Sequence, residues 1–197
     1  RSGSHGEGFL SVIKPIRTLF FASTFRAWAV FSAIAFFPPF LMERGLDIFT
    51  ANLLVTLTLL AGVAGQLVGG ELSDRYGRKE FVLAGLVLSI PALAAFLMTE
   101  GVISVLFLLA FGFFLWSSFS VTVAMSHEMV PRSVGIASGM MIGVAIGAGG
   151  VGVAFSGMIV DTYSLISALA TIPVLILLSA VLMSRVRYPW KLLAGRE

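Results

Sequence analysis

The chain has 197 residues, 58% of them hydrophobic and only 12% charged, with 13 Lys or Arg against 10 Asp or Glu and no cysteine. A water-soluble domain carries about twice that share of charge, so composition and a mean hydropathy of +1.01 exclude an ordinary soluble enzyme and imply an integral, multi-pass membrane protein. The missing cysteines exclude a disulfide framework and a thiolate metal site. The basic residues stand beside apolar runs and not along one soluble face, so the pI near 9.7 reads as a membrane-topology signal and no nucleic-acid partner is expected.

Residues 1 to 13 begin Arg1-Ser2-Gly3-Ser4-His5-Gly6-Glu7-Gly8 and read as a linker or a cloning remnant outside the fold. Residues 14 to 190 are expected to form the transmembrane bundle and 191 to 197 a cytoplasmic tail. Six apolar runs stand at about 17–42, 49–71, 80–98, 102–127, 133–160 and 164–185, and crossing a hydrocarbon core of about 30 Å takes roughly 20 such residues in a helix. Lys and Arg collect in every second connection and at both ends: Arg1, Lys14 and Arg17, then Arg75, Arg78 and Lys79, then Arg132, then Arg185, Arg187, Lys191 and Arg196. The opposite connections together hold only Arg44. This bias predicts cytoplasmic termini and a multi-pass protein of the inner or plasma membrane.

The first run carries Arg26, nine residues past Arg17, which at about 1.5 Å per residue lies roughly 14 Å into the membrane. An arginine near the centre of a span costs at least about 2.5 kcal/mol and ordinarily faces a cavity or a partner; the alternative is a side chain that snorkels to the headgroups. No run interior holds an Asp or Glu. Arg26 is therefore expected to point into a central cavity and to grip the anionic part of a solute through its planar fork. Trp28 and Trp116 suit stacking on that solute or filling space, and Gln66 suits a pathway lining or a helix-to-helix hydrogen bond.

The second run ends in Gly70-Glu71-Leu72-Ser73-Asp74-Arg75-Tyr76-Gly77-Arg78-Lys79, a tight, charged connection between two apolar runs. The end of the second run, Gly70-x-Leu72-x-Asp74-x-Tyr76, returns at the end of the fifth as Gly157-x-Ile159-x-Asp161-x-Tyr163, and Pro91 of the third run is matched by Pro173 of the sixth. A duplicated three-helix unit follows, and three being odd, the second copy inserts upside down. Both prolines are expected to kink their helices. Gly135, Gly139, Gly143 and Gly147 recur every fourth residue along the fifth run, a small-residue stripe that predicts close helix packing or a hinge. There is no nucleophile constellation, metal-ligand cluster or phosphate-cradling loop, so neither catalysis nor a cofactor is expected.

The order of the two glycines, the Asp and the basic triplet in Gly70 to Lys79 resembles the signature between the second and third helices of each half of major facilitator superfamily transporters. The resemblance implies an all-α fold of six transmembrane helices in two inverted three-helix repeats, one half of a twelve-helix carrier. Thr24-Phe25-Arg26-Ala27-Trp28, Phe36-Phe37-Pro38-Pro39-Phe40-Leu41 and His127-Glu128-Met129-Val130-Pro131-Arg132-Ser133-Val134-Gly135 resemble the C-terminal half of the fosmidomycin-resistance branch. It further implies a gating motif of Gly70, Asp74, Arg75, Gly77, Arg78, Lys79 and Glu128, in which Asp74 faces the start of the fifth helix of the opposite half and Arg78 pairs with Glu128. The function expected is secondary active transport of a small anionic or polar solute or drug, with the bilayer, a second six-helix half and the solute as partners. The alternatives are a six-helix transporter complete as a homodimer, or a membrane scaffold that moves nothing.

Overall fold

The computed structural model describes the backbone of residues 9–189 and the side chains of residues 13–189. Arg1, Lys191 and Arg196 of the charge count, most of the opening linker and the tail 191–197 lie outside the described residues. Six helices run in order: α1 Phe9–Glu43, α2 Ile48–Tyr76, α3 Arg78–Met98, α4 Gly101–Met129, α5 Pro131–Thr162 and α6 Leu165–Ser184. All six are long and apolar enough to cross a membrane, and no strand occurs among the described residues. Helices satisfy their own backbone groups, which a hydrocarbon solvent demands.

The connections are short and chemically marked. Asp47 caps α2, its carboxylate accepting from the Thr50 amide at 3.1 Å and the Thr50 hydroxyl at 2.6 Å, which satisfies first-turn donors and holds the Asp47 carboxyl below its usual range. Ser164 caps α6 by accepting from the Ser167 amide at 3.2 Å. Only Gly77 separates α2 from α3, with φ at 105°, a conformation that side chains with a Cβ rarely adopt. The charged signature expected as a loop is thus helical up to Tyr76. Helices α3 and α6 run without interruption through Pro91 and Pro173, and α1 through Pro38 and Pro39. Helix α5 is the irregular one: a 3-10 turn at Pro131–Ser133, α over Val134–Ser138, a π-helical stretch at Gly139–Val144, then α over Ala145–Thr162.

Packing follows a simple symmetry. Helix α1 packs chiefly on α5 and α6, and α4 packs chiefly on α2 and α3. Exchanging α1 with α4, α2 with α5 and α3 with α6 maps one set of neighbours on the other, which is the pattern of two inverted three-helix units. The close approaches run through missing side chains. A Cβ on Gly65 would stand 2.4 Å from the Phe113 carbonyl oxygen, and one on Gly112 would stand 2.5 Å from that of Thr58, so α2 and α4 touch backbone to backbone. Phe37, Phe96 and Phe111 are fully buried, with Phe37 at 5.2 Å from Phe96 and 5.6 Å from Phe111 between ring centres. They fill the layer near the end of the bundle opposite the termini.

Candidate functional site

At the end that carries both termini, the last turns of α2 and the first of α3 crowd six charges into ten residues, Glu71 to Glu80. Arg78 bridges two helices: its Nη2 lies 3.1 Å from Asp74 Oδ1 and its Nη1 3.0 Å from Glu128 Oε1 on α4. The Tyr188 hydroxyl, four residues past α6, donates to the other Glu128 oxygen. Burial and that hydrogen bond push the Tyr188 phenol up to about 12. Lys79 is buried instead of facing solvent, and its Nζ donates to the Val186 carbonyl at 2.8 Å. Arg75 pairs at 2.9 Å with Glu71 one turn back, both side chains being about 70% exposed, a geometry worth little. Gly70 meets nothing where a Cβ would stand. The basic triplet thus divides into a bridging Arg78, an anchoring Lys79 and a solvent-facing Arg75, and the segment after α6 is pinned at two points, to the start of α3 through Lys79 and to the end of α4 through Glu128.

Within the span, Arg26 is 4% exposed and points between α1, α3, α4 and α6, among Ser23, Leu86, Thr122, Ser179 and Met183. Its guanidinium lies 5.4 Å from the centre of the Phe119 ring, and neither its Nε nor the Ser23 hydroxyl has a hydrogen-bond partner. The void around it is too small to admit water, so within this six-helix bundle no open cavity surrounds Arg26 among the described residues. The reason is packing: Ser179 Oγ donates to the Ala22 carbonyl at 2.7 Å and draws α6 onto α1 beside the arginine.

The other sequence-predicted residues are spread over different contacts. Trp28 Nε1 donates to Ser156 Oγ on α5 at 2.9 Å, and that hydroxyl lies 3.1 Å from Ser32 Oγ. Its ring stacks on Phe25 at 6.4 Å and covers Gly152. Trp116 covers Gly62, and the Gln66 backbone carbonyl accepts from Ser120 Oγ at 3.5 Å, both between α2 and α4. A Cβ on Gly135, Gly139, Gly143 or Gly147 would meet nothing within 4 Å among the described residues, so this stripe faces away from the other helices described. Close packing in α5 falls on Gly149, whose Cβ would stand 2.5 Å from that of Ala27, and on Gly152. At about 100° per residue Gly149 is roughly 200° round the helix from Gly147, on the other face.

Three participants escaped the sequence reading. Arg44, there only a topology count, donates Nη1 to the carbonyls of Phe96 at 3.2 Å and Thr99 at 2.9 Å and Nη2 to that of Leu97, while its guanidinium lies 4.4 Å from the Phe40 ring centre. It caps α3, whose last carbonyls have no helical partner. His127 Nε2 meets Ser138 Oγ at 2.7 Å, one residue before the π-helical stretch. Tyr188 is the third, and only its place four residues past a basic helix end hinted at a docked segment. Among the described residues no group of His, Asp or Glu is arranged to hold a metal ion.

Inverted three-helix units with a charge cluster at one end and a buried cation within define a polytopic bundle of the transporter type. Residues 19–193 match the family model described as Major Facilitator Superfamily, and the chain belongs to that superfamily. It is 36% identical over 129 residues to the "Uncharacterized MFS-type transporter YfnC" of Bacillus subtilis (strain 168), covering 64% of this chain and 32% of that protein. It is 34% identical over 140 residues to the "Fosmidomycin resistance protein" of Escherichia coli (strain K12), covering 68% and 33%. A third relative, the "Probable sulfoacetate transporter SauU" of Cupriavidus necator, is 30% identical over 125 residues, covering 58% and 29%. The chain matches about a third of the length of each of these relatives.

Proposed function

We propose that the chain is one six-helix half of a secondary carrier, moving a small anionic or polar solute or drug across the cytoplasmic membrane by alternating access. A second six-helix unit completes the pathway, supplied by the rest of a longer chain or by a second copy. The observation that carries this reading is the Arg78 bridge between Asp74 and Glu128, an electrostatic tie confined to one end of the bundle. A carrier needs such a tie: states separated by a few kcal/mol are biased by contacts made in one of them only. The likeness to transporters supports it, and sulfoacetate, named for one relative, is a small anion. The distribution of Lys and Arg supports cytoplasmic termini. Arg26, with an Nε that has no acceptor, becomes the anion ligand when α1 and α4 part. Uptake or efflux in vesicles holding the intact gene product tests the reading. Saturable flux of small anions, competed by unlabelled solute, is expected; a scaffold gives none across such a panel, and a passive channel gives flux that does not saturate.

A further inference from the structure

A second charged feature lies on the same end of the bundle and takes no part in the Arg78 cluster. The starts of α1 and the end of α6 enclose a cleft of about 650 Å³ lined by Lys14, Arg17, Thr18, Met129, Arg185 and Arg187. The register that brings these cations together is fixed by the Ser179 to Ala22 hydrogen bond. Arg17 is five residues before Ala22 and Arg185 six after Ser179 in an antiparallel pair, so at about 1.5 Å per residue both rise roughly 8 to 9 Å above that bond, to one level. All four side chains are exposed, and none makes an ion pair among the described residues. Four cations held around one cleft repel each other unless an anion enters.

The surface below the cations identifies that anion. Phe21, one turn from Arg17 on the same face of α1, is 53% exposed; Val181 and Leu178, one and two turns before Arg185 on α6, are 42% and 44% exposed. An apolar track therefore descends from the cleft along the outside of the bundle. A free phosphate would use the cations and leave the track bare, whereas a phospholipid uses both, its phosphodiester gripped by the arginine forks and its acyl chains laid on Phe21, Val181 and Leu178. We propose that this cleft is a binding site for the headgroup of an anionic phospholipid, in the leaflet at the end of the bundle that carries both termini.

The test is native mass spectrometry of the whole protein in neutral detergent, titrated separately with phosphatidylglycerol and phosphatidylcholine of the same chains. One to two retained phosphatidylglycerol molecules are expected, bound at least about tenfold tighter than phosphatidylcholine, since each Lys or Arg near an anionic surface contributes about fivefold. Replacing all four cations (K14Q, R17Q, R185Q and R187Q together) should abolish that preference. The single changes R17Q and R185Q, mild enough to leave the fold intact by circular dichroism, should each weaken it about threefold to fivefold. Glycerol phosphate or inorganic phosphate in millimolar excess should fail to displace the lipid. Equal retention of the two lipids, an undiminished preference in the fourfold variant, or displacement by inorganic phosphate would each overturn the proposal.

Discussion

Arg26 lies within α1 and Arg44 one residue past its end, and their surroundings are opposite in kind. Arg44 has its donors on carbonyls that end α3; Arg26 keeps an Nε with no acceptor in the buried interior. Removing Arg44 takes the side-chain donor from the Leu97 and Thr99 carbonyls, while Phe96 keeps the Ser104 hydroxyl, so Arg44→Ala should lower stability by about 1–3 kcal/mol, read as a fall in the thermal midpoint in detergent. Arg44→Lys should recover only part, since an ammonium cannot span three acceptors as a planar fork does. At Arg26 the order differs: if Arg26 is the anion ligand proposed above, Arg26→Lys and Arg26→Ala should both impair flux while the protein stays folded, because two-pronged recognition needs the fork and not charge alone. Normal transport in both variants would make Arg26 structural. Tyr188 offers a pH test. Its folded value, near 12, exceeds the ordinary value near 10, so the neutral phenol's contribution is complete below pH 10 and is lost as pH rises from about 10 to about 12. The midpoint gap between the native protein and Tyr188→Phe should therefore close over that interval; a gap independent of pH would remove the phenol from the cluster.

Among the elements, the six spans were legible because apolar runs of the right length are interrupted by charge, and the inverted repeat because Asp74 and Asp161 punctuate corresponding helix ends. What was not legible was the face each helix turns inward. In a bilayer an outward leucine is as well solvated as an inward one: Leu67 is 76% exposed and Leu93 fully buried, and nothing in their chemistry distinguishes them. A helix apolar all round has no amphipathic stripe to read. The glycines of α5 illustrate this, since the fourfold period of Gly135 to Gly147 suggested a packing seam, yet the contact with α1 belongs to Gly149 and Gly152. Gly149→Ala, whose Cβ would strike Ala27, should destabilise by about 1–3 kcal/mol, whereas Gly143→Ala, with open space around it, should stay within about 0.5 kcal/mol. A thermal-shift comparison of the two checks the assignment. If Gly143→Ala is stable and yet blocks flux in the intact protein, the open stripe meets a second six-helix unit, where a small residue lets backbones come close.

At the scale of the molecule, the charge cluster was legible as composition and the local role of Lys79 and Tyr188 was not, because both depend on where the chain goes after α6. Asp74 also reaches the surface at this end of the bundle. Its carboxylate shares Arg78 yet remains 63% exposed, and a carboxylate against a helix N-terminus gains about 0.3 to 1 kcal/mol when exposed and up to about 2 kcal/mol when partly buried. In a second unit related by an axis normal to the membrane, the start of α5 near Ser133 is the end that Asp74 would meet. A homodimer predicts that cysteines introduced at Asp74 and Ser133, which this cysteine-free chain allows without background, form a disulfide between two copies in native membranes. A half completed by a longer chain predicts none between copies, together with a native gene product of about twice 197 residues. Disulfide formation that is unchanged when the second cysteine is moved to the opposite end of α5, at Thr162, would mean random collision and would defeat the homodimer; a native chain of 197 residues that transports as a monomer would defeat both arrangements.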